Sequence, residues 1–155
     1  MRKLKNPYAE LPEHYCFGCS HRNLNGLNLE FHEEGDFIIS HWQPIRDFEG
    51  FPNVLHGGIQ STLMDEIASW VVFAKMNTAG FTTQINVKLL KPVLLDKGKI
   101  TIKGKLTETK RNLAFIHTEI YNSDDVLCSE GTMVYFTYSP EKAKEVLKYP
   151  GGERF

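Results

Sequence analysis

One stretch of this chain repeats its apolar residues with the period of a long helix, and the segments around it read as strand or turn. Ile59, Leu63, Ile67 and Val71 recur every fourth residue, and Trp70 and Ala74 fill the same stripe. The pattern predicts a helix over roughly His56 to Met76. Ahead of it lie two strand-like runs, Leu27 to His32 and Phe37 to Trp42, joined by a Glu34-Gly35-Asp36 turn. Behind it lie four more: Phe81 to Leu90, Gly98 to Thr109, Leu113 to Tyr121 and Val126 to Tyr138. The connections Lys110-Arg111-Asn112 and Asn122-Ser123-Asp124-Asp125 are short and polar, so the strands they join are expected to be antiparallel neighbours. A lone amphipathic helix cannot bury its own stripe. A sheet wrapped around it is the economical solution, which predicts an α+β chain with six antiparallel strands about one central helix.

The chain has 155 residues, 41% of them hydrophobic, which suits one domain over 1–155 with a core of its own. Residues 1–26 are irregular and rich in turn formers, and read as an N-terminal lid. The loop Gln43 to Leu55 carries two prolines and a glycine and reads as a surface excursion. Residues 139–155 form a charged tail with room for a short helix. Eighteen basic and 19 acidic residues are well mixed and leave a net charge of −1, so no basic stripe points to nucleic acid. No apolar run is long enough to span a bilayer, and no membrane partner is expected. The opening Met-Arg-Lys-Leu-Lys-Asn-Pro has charge but no apolar run behind it, so no secretory signal is expected. Three cysteines are an odd number and fit reduced thiols in the cytoplasm, the expected location.

Chemistry concentrates at the start of the helix. His56-Gly57-Gly58 sits where free backbone N–H groups attract developing negative charge, and glycine lets a carbonyl come close. Asp65 and Glu66 follow two turns later, on the same helix, where an acid is expected to act on that carbonyl. At about 100° per residue, Asp65 projects nearly opposite the apolar stripe and Glu66 flanks it, so the two carboxylates serve different surroundings. Each residue also has a plainer reading. Asp65 would be a solvated charge, His56 a helix cap, and the glycines a packing requirement. A second cluster, His14, Cys16, Cys19 and His21, has ligand types that suit zinc, but no further pair with finger-like spacing follows and Cys128 is distant.

His56-Gly57-Gly58 with Asp65 nine residues after the histidine resembles the helix start of hotdog-fold acyl-CoA thioesterases of the phenylacetate-pathway and 4-hydroxybenzoyl-CoA type. Thr82-Thr83-Gln84-Ile85-Asn86-Val87-Lys88-Leu89-Leu90-Lys91-Pro92 resembles that family's next strand, closed by a proline. Cys16-Phe17-Gly18-Cys19 with Asn25-Gly26-Leu27 resembles the leading segment of one subgroup, so the likeness runs over roughly residues 14–138. The resemblance implies a hotdog fold and hydrolysis of an acyl-CoA to free acid and CoA. It implies Asp65 as general base or nucleophile, the N–H of Gly57 or Gly58 as oxyanion donor, and Thr82, with Thr83 as its runner-up, orienting water. His56 would shape the loop or touch the thioester oxygen. Many relatives carry Asn or Gln six residues before the histidine; here that position is Gly50, and Asn53 is the nearby amide. Coenzyme A carries phosphates, for which Lys88, Lys91 and the turn Lys110-Arg111-Asn112 are candidates. Phe48, Phe51, Trp70 and Phe73 are candidates to line an acyl pocket.

The family further implies a homodimer or dimer of dimers with sites built across subunits. It accounts for the cysteines without a metal, and no cofactor is expected. Two other readings stay open. A hotdog hydratase or dehydratase would pair His41 with Glu66, and an inactive acyl-CoA or acyl-carrier binding module would account for Gly50.

Overall fold

A single helix does lie across a large antiparallel sheet. The computed structural model describes residues 1–155. In chain order the elements are β1 (Arg2–Lys3), β2 (His32–Glu34), β3 (Phe37–Trp42), α1 (Gly57–Lys75), β4 (Gly80–Leu89), β5 (Ile100–Lys110), β6 (Leu113–Tyr121), β7 (Leu127–Thr137) and α2 (Pro140–Leu147). All strand pairs are antiparallel, in the spatial order β1-β2-β3-β5-β6-β7-β4. The chain leaves β3, crosses the inner face of the sheet as α1, and returns as β4 on the far edge. This is the expected hotdog architecture, a sheet curled about a helix. No helix is long and apolar enough to cross a membrane.

The predicted helix limits, His56 and Met76, are the two caps of α1. The His56 ring accepts from the N–H of Gly58 at 2.9 Å, satisfying one of the orphan donors of the first turn. At the other end Asn77 takes a left-handed conformation, φ 54°, which stops the helix. Leu63, Ile67 and Val71 are fully buried and Trp70 nearly so. Each contributes roughly 1.5–3 kcal/mol by leaving water. Gly104 in the middle of β5 permits the close approach, because a Cβ there would lie 3.1 Å from Val71 Cγ2 and 3.2 Å from Ile67 Cγ2.

Two expectations need correction. The sheet has seven strands, because the chain start adds β1 to the edge of β2. The predicted strand Leu27 to His32 is not one; β2 starts at His32. Its alternation is real, since Leu27, Leu29 and Phe31 are all buried. The backbone, however, bonds to the N-terminal segment instead of a ladder: Leu27 N–H to Phe17 O, Leu29 N–H to Gly18 O, and Phe31 O from Leu4 N–H. Asn28 between them adopts φ 51°, which no strand interior tolerates. The short helix for which the C-terminal segment had room is present as α2, and Phe155 is 3% exposed, stacked on Phe73 at 5.3 Å.

Candidate active site

Asp65 leaves α1 toward the sheet edge, where two hydroxyls meet it. Thr82 on β4 donates to Asp65 Oδ1 at 2.7 Å, and Tyr135 on β7 donates to the same oxygen at 2.8 Å. The Tyr135 hydroxyl also lies 2.8 Å from the Asp65 backbone carbonyl. Thr82 and Tyr135 are direct partners across the β4–β7 ladder, so the sheet register delivers both hydroxyls together. Asp65 Oδ2 takes no hydrogen bond within the chain and is the oxygen left for chemistry. Burial first, and the neighbouring Asp65 second, push the Tyr135 phenol up, so it remains a donor throughout the physiological range.

The ladder slips between Thr82 and Gln84, and Thr83 sits in that slip. Its hydroxyl donates to Val134 O at 3.0 Å, so Thr83 satisfies the bulge and Thr82 alone reaches Asp65. Sequence reasoning missed Tyr135. Its signal is faint: a tyrosine at an inward position of a strand must find a partner for its hydroxyl when buried, and Tyr135 is 3% exposed.

The helix start forms a second group. With Gly58 N–H held by His56 Nδ1, the ring proton resides on Nε2 in the neutral form. Gly57 N–H has no partner within the chain, so of the two glycine N–H groups it is the one available to a ligand. His56 and Gly57 line an open cavity with Glu49, Gly50, Phe51 and Val54. The two groups do not meet within one chain. Eight residues of helix separate Gly57 from Asp65, about 12 Å along the axis.

The remaining candidates scatter. Asn53 is a turn residue at φ 63°, its amide bonded to Asp96 at 3.1 Å. Lys110 closes β5, Arg111 and Asn112 form the β5–β6 turn, and the three line an open cavity with Leu113 and Phe136, at the Thr82 end of the sheet. Lys88 stands at the other end of β4, beside Asn86, His117 and Glu130 in a polar cavity of about 220 Å³. Alternation along β4 puts it on the sheet face opposite Val87 and away from α1. Trp70 stacks on Phe31 at 4.2 Å in the core, and Phe73 packs on Phe155, so of the proposed pocket aromatics it is Phe51 that borders the His56 cavity. The dehydratase pair is not formed: His41 is exposed and bonded to Thr101 at 3.0 Å, whereas Glu66 faces the N-terminal segment.

There Glu66 meets Cys16, whose Sγ is 3.6 Å from each carboxylate oxygen. Burial first, and then the neighbouring sulfur, push Glu66 up to about 8. The Cys16 thiol is pulled below the ordinary cysteine range, chiefly by a hydrogen bond from Cys19, helped by the backbone N–H groups of Cys19 and Gly18. Glu66 thus faces the N-terminal segment and Asp65 faces β4 and β7, although the two are adjacent in sequence.

A sequence model of the thioesterase superfamily matches residues 52–129, half of the chain. No curated protein sequence matches it. Among solved structures, a hypothetical thioesterase from Streptococcus pneumoniae determined with coenzyme A is 24% identical, with a TM-score of 0.66 over 72% of this chain and 90% of that one. A Streptococcus mutans protein bound to acetyl-CoA is 20% identical, with a TM-score of 0.67 over 84% and 97%. A further thioesterase superfamily protein, 20% identical with a TM-score of 0.66 over 72% of this chain, is longer; the chain spans 55% of it. At such identities the likeness is one of fold.

Proposed function

This chain belongs to the thioesterase superfamily, and from that premise we propose that it hydrolyses an acyl-CoA thioester to the free acid and CoA. The observation that carries this reading is the Asp65 carboxylate, fixed at Oδ1 by Thr82 and Tyr135 and open at Oδ2. A carboxylate oriented by two neutral donors keeps one oxygen aimed, as a general base or nucleophile must. In the simplest sequence Oδ2 takes a proton from water, and the resulting hydroxide attacks the thioester carbon. The oxyanion accepts from Gly57 N–H, a donor of a kind worth about 3 kcal/mol. His56 Nε2–H is the second donor, in the place where relatives use an amide and this chain has Gly50. The tetrahedral intermediate then collapses, the C–S bond breaks, and the proton held by Asp65 passes to the CoA sulfur.

Because Asp65 and Gly57 lie about 12 Å apart in one chain, the site is composite. The free edge of the sheet at β4 supplies the geometry. It is an exposed strand of 10 residues with Phe81, Ile85 and Leu89 each about half exposed, the kind of edge that proteins cover. Gly57 neighbours the end of β4, where its Cβ would lie 2.8 Å from Leu89 Cδ1, whereas Asp65 bonds Thr82 at the start. Antiparallel pairing of two β4 edges about a two-fold axis brings the Thr82 end of one copy to the Leu89 end of the other. Asp65 then faces Gly57 of the partner subunit. The reading is thus a homodimer or a dimer of dimers, with Lys110 and Arg111 at the Thr82 end as contacts for CoA phosphates. The neighbours bound to CoA and acetyl-CoA support the substrate class.

The test is thiol release, followed with a disulfide dye, from short, long and aromatic acyl-CoAs. Turnover of at least one series is expected. Failure to release thiol from every thioester offered would sink the hydrolase reading.

A further inference from the structure

Apart from Asp65, the densest group of chemically active side chains lies where the N-terminal segment crosses α1. Cys16 Sγ, Cys19 Sγ and a Glu66 carboxylate oxygen all lie within 4.8 Å of one another. His14 Nε2 approaches from the open side, 3.9 Å from Cys19 Sγ. All four residues line one cavity of about 220 Å³. Its other walls, among them Tyr8, Ser69 and Phe73, include no lysine or arginine, so nothing cationic answers the acid and the two thiols.

We propose that His14, Cys16, Cys19 and Glu66 form a binding site for a single zinc ion that fastens the N-terminal segment to α1. The donor set, two sulfurs, one imidazole and one carboxylate, suits zinc in both ligand type and number. The spacing suits it too. Bonds of about 2.3 Å to sulfur and about 2.0–2.2 Å to nitrogen or oxygen put neighbouring donors of a tetrahedron roughly 3.5–3.8 Å apart. The observed edges are 3.6 Å from Cys16 to Glu66 and 3.9 Å from Cys19 to His14. Cys16, Cys19 and Glu66 are already gathered, whereas His14 stands outside that group, near Cys19 alone, and its ring must turn inward to complete the tetrahedron.

The loop is built to hold these donors. Gly18 lies against the acid: a Cβ there would come within 2.4 Å of Glu66 Cδ, so only glycine lets the Cys16–Cys19 turn close over the carboxylate. Phe17 O and Gly18 O are tied down by the N–H groups of Leu27 and Leu29, and Ser20 Oγ fixes His14 through its carbonyl at 3.1 Å. His21, the fourth member of the sequence cluster, points to a different cavity beside Asn6 and Asn28, and Glu66 takes its place. Four protein ligands leave no open position, so the ion is structural and takes no substrate. This inference departs from the metal-free expectation of the sequence and is independent of the thioesterase reading.

The test uses the full chain, reduced and freed of metal with a chelator, then titrated with Co²⁺ and afterwards with Zn²⁺. One Co²⁺ per chain is expected, with thiolate-to-cobalt charge-transfer absorption and the intense visible bands of tetrahedral cobalt, lost on adding one equivalent of Zn²⁺. Cys16→Ser and Cys19→Ser should abolish those bands, and Cys128→Ser should leave them intact. Should the cysteine variants misfold, His14→Ala and Glu66→Gln carry the test, each weakening affinity at least tenfold while the circular dichroism stays native. No uptake by the reduced wild type, an octahedral spectrum without charge transfer, or binding unchanged in folded His14→Ala and Glu66→Gln overturns the proposal. So does a Cys16–Cys19 disulfide that forms in preference to metal binding when Zn²⁺ is present.

Discussion

Replacing Asp65 with asparagine separates chemistry from folding more cleanly than any other change in the site. Asparagine keeps an oxygen at Oδ1, so the hydroxyls of Thr82 and Tyr135, now at 2.7 and 2.8 Å, retain their acceptor. What they lose is charge assistance. A hydrogen bond to a charged group is worth about 1.5–3 kcal/mol and a neutral one about 1, so two weakened bonds cost roughly 1–4 kcal/mol. Relief from holding a half-buried charge offsets part of that. For a chain of this length the melting temperature should fall by only about 2–8 °C. At Oδ2 the change is absolute, because an amide nitrogen neither accepts a proton nor attacks a carbonyl. General-base catalysis contributes about 10²–10⁴-fold, so kcat in the thiol-release assay should fall by that factor, roughly 3–5 kcal/mol at the transition state. A variant that melts within this window yet keeps kcat within about threefold of wild type would refute the assignment of Asp65 as base or nucleophile.

Three further outcomes are expected. His56→Ala should lose both the cap on Gly58 N–H and the Nε2 donor, costing about 1 kcal/mol of stability and also activity; His56→Asn, which can cap, should recover the stability in thermal melts but not the kcat. Ile85→Lys places a charge at the middle of the β4 edge, where the side chain is 49% exposed; light scattering should report monomer and thiol release should vanish, and an active monomer would contradict the composite site. Glu33 bridges Lys75 at 2.6 Å and Arg2 at 2.8 Å, and its carboxyl is held below the ordinary glutamate range, first by the hydrogen bond from Lys75. Its contribution is therefore present above the free-glutamate value of about 4.3 and is lost as pH falls through the lower folded value. Urea titrations of Glu33→Gln should show a lower midpoint at neutral pH and a shallower loss of stability below about pH 4.3.

Local rules carried the sequence a long way. The four-residue recurrence from Ile59 to Val71 located α1 to its caps, because a helix face and its first-turn donors are local properties. The strands Phe37–Trp42 and Leu113–Tyr121 fell where alternation put them, for the same reason. Alternation failed at Leu27 to His32, where burial on one side was read correctly but the hydrogen-bond partner was a distant segment no local pattern announces. The resemblance to the family lay in His56-Gly57-Gly58 with Asp65, followed in order by the Thr82-to-Pro92 strand. Only tertiary structure decided the rest. Register between β4 and β7 selected Thr82 over Thr83 and added Tyr135, 70 residues from Asp65. The rigidity of one helix kept Asp65 and Gly57 apart, and the fold of the N-terminal segment turned Glu66 toward Cys16 and Cys19. A sequence fixes what each residue prefers over a few neighbours; which distant groups share a site is set by packing, where one residue of slip along a strand exchanges one face for the other.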